Sequence, residues 1–329
     1  MSEKIKKYQS VNIISYWIGI IFSFIGLITL FVIMIGGKII NTSMQIDIDL
    51  GEKAGTFLAG FVGTCFAISG TAIIISTFLS QYIQNRKNQV ENIFFKYIDL
   101  HYENINQIKI KNYDNKKAGI NETGRAAFVS MKLQLYELLR LVAKFNKKIG
   151  IDLPDEFVID FAYMIFYYGF SYQWFTFIKD KFRRIGNIDD YLLKFSNELT
   201  NVDDKRLGKT NQTFISSYMR NIYNAIKFID ASDVLDNNEK KDYIRILRSQ
   251  LSLPELYILY FNIRSRFGVN WIRNNYIKKY QLFKNIPDDY CQEYDHKKYF
   301  SSKDGFISED DNMYDEFLKT IDLNNGHGT

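Results

Sequence analysis

The chain has 329 residues, 47% hydrophobic, 16% aromatic and 24% charged, which is enough apolar material for one or two cored units and excludes disorder over most of its length. Lysine and arginine number 42 against 37 acidic residues, and the resulting net charge of +5 is too small by itself to argue for a polyanionic partner. Two cysteines, Cys65 in an apolar run and Cys291 in a polar one, exclude a disulfide scaffold and favour a reducing compartment. The mean hydropathy of −0.19 describes a soluble protein, yet it averages two different materials.

Residues 11–35 read VNIISYWIGIIFSFIGLITLFVIMI without a charge. At about 1.5 Å per residue that run is long enough to cross a hydrocarbon core of about 30 Å. Residues 55–83, GTFLAGFVGTCFAISGTAIIISTFLSQYI, form a second uncharged run of spanning length. Lys4, Lys6 and Lys7 precede the first run as they would in a signal peptide, but a signal's apolar core is only about 7–15 residues. Those lysines with Arg86 and Lys87 outnumber Lys38 and Lys53 in the connecting loop, so both termini are expected in the cytoplasm, with a short outer hairpin over residues 36–54.

In the second span Gly51, Gly55, Ala59, Gly63, Ala67 and Thr71 recur every fourth residue, and the first span offers Ser15, Gly19 and Ser23 at the same spacing. Small side chains permit close helix contact. Either the two spans pack on each other through these faces, or the faces serve assembly between copies. Neither span carries a charge at its centre, which argues against a transporter-type relay.

The expected organisation is a membrane hairpin over 1–84, a cytosolic all-α domain over 85–290, and a polar, acidic tail over 291–329. Only Pro154, Pro254 and Pro287 interrupt the chain. The second span is expected to run on through Val90, Ile93, Phe94, Tyr97, Ile98, Ile105 and Ile108. A polar loop over 109–123 follows, then helices over 125–144 and 157–182, the latter crowded with core aromatics. Residues 187–213 are weakly patterned and read as turns around Asp189, Asp190, Asp203, Asp204 and Gly208. Helices are expected over 214–230 and 238–250, and Ser252, Pro254 and Glu255 mark a capped start for the next, which Gly268 breaks.

Catalytic signatures are absent or fail. Leu207, Gly208, Lys209 and Thr210 resemble the end of a phosphate-binding loop, but Asp203 stands where the first glycine is needed. His101, His296 and His327 lack the RxxxxH spacing of helical ribonucleases. Cys291 and His296 supply two of the four ligands of a zinc site, so a surface cysteine near an exposed histidine is the simpler reading. Pro287, Asp288, Asp295 and Lys297 imitate a nuclease pattern without its hairpin, and no GxSxG elbow occurs. No catalytic, cofactor or metal site is therefore assigned. Basic groups gather at Lys144, Lys147 and Lys148, at Arg183 and Arg184, and at Arg264, Arg266 and Arg273, where Trp271 makes the last group the preferred place for a phosphate or RNA contact.

After the two spans, five blocks stand in order: FFKYIDLHYENINQI from Phe94, GRAAFVSMKLQLYELL from Gly124, YMRNIYNAIKFID from Tyr218, YIRILRSQLSLPELYILYFN from Tyr243 and YIKKYQLFKNIP from Tyr276. Over residues 13–287 the chain resembles the phage abortive infection proteins of the AbiC-like type. The resemblance implies antiviral defence in a bacterium by a protein anchored in the cytoplasmic membrane, and it supplies no catalytic residue. Within the matching blocks Arg220, Asn221, Tyr223 and Lys227 lie on or near one helix face, and Arg248, Gln250, Ser252 and Glu255 gather at a helix junction ahead of Tyr260 and Asn262. These residues either tie helices together or line a groove that recognises a phage product or nucleotide signal. His101 with Glu103, and Gly124 with Arg125, are second-choice contacts for an anion. The expected partners are the lipid bilayer, further copies of the chain and a phage or defence-system component, ahead of nucleic acid. A membrane effector, a tethered nucleic-acid binder or nuclease, and an adapter for another toxin all fit these features.

Overall fold

A computed structural model of the chain describes residues 3–36, 48–111, 121–183, 187–287, 290, 291 and 294. Most of the outer hairpin, Arg184, Asp288, Asp295, His296, Lys297 and the tail from 295 onward lie outside the described residues. The chain is all-α, and it divides into two compact units, Met1–Ile93 with Ala231–Glu239, and Phe94–Asp230 with Lys240–Thr329.

The first unit holds α1 (Glu3–Gly36), α2 (Ile48–Phe57), a π turn (Leu58–Val62) and the first part of α3 (Gly63–Gln107). Two helical stretches, Glu3–Ile33 and Gly51–Gln107, are long and apolar enough to cross a membrane. Only 11% and 22% of their most apolar windows are buried, whereas a core helix of a water-soluble domain hides its apolar faces. Phe24, Phe31, Ile74 and Phe78 each expose 64% or more of their surface.

A narrow seam joins the two helices. Ile5, Ser15, Gly19 and Gly26 are buried on α1, and Cys65, Ser69, Ala72, Ser76 and Ile83 on α3, with Val62 of the π turn. Ser69 Oγ donates to the Gly19 carbonyl at 2.7 Å, Ser76 Oγ donates to Asn12 Oδ1 at 2.5 Å, and Asn12 Nδ2 donates to Ser80 Oγ at 2.8 Å. A β-carbon on Gly19 would lie 2.7 Å from Ile73 Cγ1 and 3.3 Å from the Ser69 carbonyl oxygen. The absence of a side chain there is what lets the helices approach.

The small-residue spacing therefore divides. Ser15 and Gly19 are buried, with Gly19 against α3, and Ser23 is half-buried, whereas Gly55, Ala59, Gly63, Ala67 and Thr71 are exposed. An added β-carbon at Gly55 meets nothing within 4 Å, and at Gly63 only the Leu58 carbonyl at 3.9 Å. Positions 65, 69, 72 and 76 alternate steps of four and three, which tracks a 3.6-residue helix, whereas a strict step of four drifts to another face. Two ion pairs close the unit: Arg86 Nη2 to Asp233 Oδ1 at 3.0 Å and Lys87 Nζ to Glu239 Oε1 at 2.5 Å.

The second unit begins inside α3, which runs on to Gln107 as its sequence predicts, with Phe94, Ile98 and Ile105 buried on one side. The expected loop over 109–123 contains two short antiparallel strands, β1 (Lys109–Lys111) and β2 (Asn121–Thr123), with Ile110 opposite Glu122. Then come α4 (Arg125–Lys148), α5 (Asp155–Tyr168), α6 (Tyr172–Lys181), α7 (Ile188–Thr200), α8 (Gln212–Ala231), α9 (Asn237–Ser249), α10 (Leu253–Arg264), a 3-10 turn (Arg266–Gly268), α11 (Val269–Arg273) and α12 (Tyr276–Tyr280).

Two boundaries differ from expectation. The stretch 157–182 is two helices, because Gly169 has φ 78°, and a β-carbon there would lie 3.0 Å from the Gly208 carbonyl. Residues 188–200 form a helix rather than turns. Ile188, Tyr191, Leu192 and Phe195 recur at the spacing of one helix face and are buried, and Asp189 and Asp190 complement the positive end of its dipole.

At the centre, α4 packs on α5 and α10, and α10 is buried on all sides from Glu255 to Arg264. Phe145, Phe157, Phe161, Phe182, Tyr191 and Phe195 form one ring cluster with centroids 5.2 to 5.9 Å apart. Cys291 is 1% exposed rather than on the surface, since it lies close to Tyr257 of α10 and Tyr290.

Candidate functional site

The second unit contains an open cleft of about 320 Å³ between α8 and the segment that leaves α10. From α8 come Ser216, Met219, Arg220 and Tyr223, from α10 Asn262, from the turn and α11 Phe267, Asn270 and Trp271, and from the end of α5 Tyr167. The first half of α8 lines the cleft from Ile215 to Tyr223, and the sharp turn at Gly268 brings α11 back toward α8. That turn needs glycine, because a β-carbon at Gly268 would lie 2.2 Å from Ile263 Cα.

Its chemistry is mixed. Tyr223 packs edge to face on Trp271 at 5.3 Å, and its hydroxyl accepts from Asn274 Nδ2 at 3.1 Å. Tyr167 and Phe267 meet at 4.6 Å on the other side. Arg220 is exposed, and its guanidinium touches Ser216 Oγ at 3.3 Å. Among the described residues no carboxylate pairs with it and none lines the cleft.

The other residues singled out in the sequence occupy separate places. Asn221 is buried, and its amide donates to the Tyr97 carbonyl at 3.0 Å, so it leaves the face of Arg220 and Tyr223, while Lys227 is exposed and lies outside the cleft lining. Arg248 Nη1 donates to the Gln281 carbonyl at 2.8 Å, and burial, with Arg245 nearby, lowers its pKa. Gln250 receives the Tyr102 hydroxyl on its side chain and Arg125 Nη2 on its carbonyl at 3.0 Å. Asn262 Nδ2 donates to the Tyr163 hydroxyl at 2.9 Å.

Glu255 sits fully buried at the head of α10. One oxygen accepts the Tyr218 hydroxyl at 2.8 Å, and the other accepts the Ser252 amide at 2.7 Å and the Ser252 hydroxyl, the predicted capping box. His101 lies 3.8 Å from Glu255 Oε1, too far for a hydrogen bond, and is itself fully buried with neither ring nitrogen hydrogen-bonded. Burial lowers the His101 pKa against the pull of Glu255, and Arg125 acts in the same downward direction. His101 and Arg125 are thus interior or tied, and neither offers a surface anion contact; Glu103 remains exposed.

Two arginines of the basic cluster are also committed elsewhere. Arg266 grips Asp160 through Nε and Nη2 at 2.9 and 2.6 Å, and its backbone N–H donates to the other carboxylate oxygen at 2.8 Å. Arg264 is 3% exposed and donates to the Tyr260 hydroxyl at 3.0 Å, and Trp271 is likewise 3% exposed. Three of the four residues on which a nucleic-acid reading was placed are thus interior or tied, while Arg273 is exposed. The loop that imitates a phosphate-binding motif is a structural latch, since Gln134 Nε2 donates to the Arg206 and Lys209 carbonyls at 2.7 and 3.0 Å. Asn211 then ties the loop to Gln134 and to the Phe166 carbonyl, both at 2.9 Å.

The fold and cleft define an all-α chain with two helices of membrane-spanning length and a helical unit that carries an aromatic, cationic recess. Residues 210–290, which supply most of that recess, match the family model of the putative phage abortive infection protein, and the resemblance read from the ordered sequence blocks is shown over that segment. The match supports an abortive infection, anti-phage role. No curated protein and no solved structure matches the chain.

Proposed function

We propose that this chain is a membrane-anchored effector of anti-phage defence: the helical unit senses infection or a partner through its cleft, and the two-span hairpins assemble in the cytoplasmic membrane of a bacterium to perturb it. The observation that carries this reading is the division of small residues on the hairpin. One set, Ser15, Gly19, Ser69 and Ala72, is consumed within the hairpin, and a second set, Gly55, Ala59, Gly63 and Ala67, is left exposed on the same apolar element. In a bilayer, close-packing small residues on an outward face are the means by which helices of separate chains associate. The wider π turn at Leu58–Val62 sits inside this set, and its larger repeat holds residues four apart more nearly in line than an α turn does. Both termini then lie in the cytoplasm.

Replacing Gly63 by leucine tests the reading. Membrane insertion should persist, the detergent-extracted particle should fall in mass, and protection against phage should be lost. Full protection with an unchanged particle would remove the exposed face from the mechanism. An adapter role is separated by overexpression without phage, because an effector arrests growth alone and an adapter does not.

A further inference from the structure

We propose that the cleft binds a small anion carrying a planar heteroaromatic ring, the chemistry of a mononucleotide, with Arg220 as the anchor for its phosphate. The inference rests on reading the cleft as the sensing site. A volume of about 320 Å³ suits a ligand of that size. Arg220 is the cation on the rim, exposed, with only the weak contact to Ser216 at 3.3 Å and no carboxylate neighbour among the described residues, unlike Arg206 and Arg266, which are held by Asp204 and Asp160. A planar guanidinium in that state is suited to grip a phosphate through two parallel hydrogen bonds.

The inner part of the recess fits the rest of such a ligand. Tyr167, Tyr223 and Phe267 are half-buried and line the open volume, and a base stacks on aromatic surfaces of that kind. Asn270 is an exposed residue of the lining, and its amide is the kind of group that pairs with the mixed donor and acceptor edge of a nucleobase. A purely aliphatic anion would leave the ring surfaces unused, and a neutral aromatic would leave Arg220 unmatched.

The test is equilibrium binding to the full chain in detergent micelles, with AMP, GMP, CMP and UMP, the four matching nucleosides and inorganic phosphate as probes, each up to about 1 mM. At least one nucleotide should bind saturably, its nucleoside and phosphate alone at least about tenfold more weakly, and Arg220→Gln should weaken the nucleotide about tenfold while Arg220→Lys recovers part of the loss. Absence of nucleotide binding, or binding indifferent to Arg220→Gln, would overturn the proposal, and phosphate binding as tightly as every nucleotide would overturn its aromatic half. Arg220 is exposed, so these variants do not test folding. A chain that protects cells yet binds no nucleotide refutes the ligand alone, whereas one that binds a nucleotide yet protects no cells refutes the defence reading alone.

Discussion

The hydroxyl of Ser69 donates to the backbone carbonyl of Gly19 across the helical hairpin, at 2.7 Å, where a β-carbon on residue 19 would collide with Ile73. The contact sets how closely α1 and α3 approach. Gly19→Ile should cost about 1–3 kcal/mol by overpacking and Ser69→Ala about 0.6 kcal/mol by loss of one interhelical hydrogen bond. Thermal midpoints of the detergent-solubilised chain should fall in that order, and equal midpoints would show that the seam does not hold the hairpin.

Asp160 is fully buried and Arg266 is 15% exposed, so their pairing is an internal clamp between α5 and the end of α10. Asp160→Ala leaves a largely buried guanidinium without its partner and should cost about 3 kcal/mol, a fall of about 5–10 °C in thermal midpoint. Arg266→Ala should be comparably destabilising. A groove built for phosphate would instead tolerate loss of the arginine with stability unchanged.

His101 gives the fold a pH dependence of definite sign. Its pKa is depressed in the folded chain, first by burial, so below the ordinary value of 6.5 the unfolded chain takes up a proton that the folded chain refuses. Its contribution is fully present above 6.5 and is lost as pH falls from there toward the folded value. The thermal midpoint should therefore decline through that window, and His101→Phe should flatten the decline. An identical pH profile in the variant would assign it to other groups.

Gly169 ends α5 with φ 78° and ψ 175°, a backbone region open essentially to glycine alone, against the loop that Gln134 and Asn211 latch. Gly169→Ala combines backbone strain of about 1–3 kcal/mol with a β-carbon 3.0 Å from the Gly208 carbonyl. Faster proteolysis within residues 203–211 should accompany the loss, and an unchanged cleavage rate would show that the loop is held independently.

The long elements were legible because their signals are local. Uncharged length marks α1 and α3, the uninterrupted apolar period carries α3 into the second unit, and Ser252, Pro254 and Glu255 announce α10. α7 was hidden because Asp189 and Asp190 suit a turn as well as a first helical turn, and only burial of Tyr191 and Phe195 against Phe145 decides between them. The seam on α3 follows positions 65, 69, 72 and 76, whose steps alternate between four and three, so a strict step of four marks a different face. The cleft was half visible: Arg220, Tyr223 and Asn262 stand out in the sequence, but Tyr167, Phe267 and Asn270 join them only through the turn at Gly268, a tertiary event with no periodic signature. Asn221, adjacent to Arg220, points inward to Tyr97 for the same reason.

The central claim is that infection leads this protein to breach the membrane that holds it. Dye-reported membrane potential, followed in infected cells carrying the wild-type chain, tests it most directly. The account predicts depolarisation before lysis that disappears with Gly63→Leu. Growth arrest with the potential intact would contradict it.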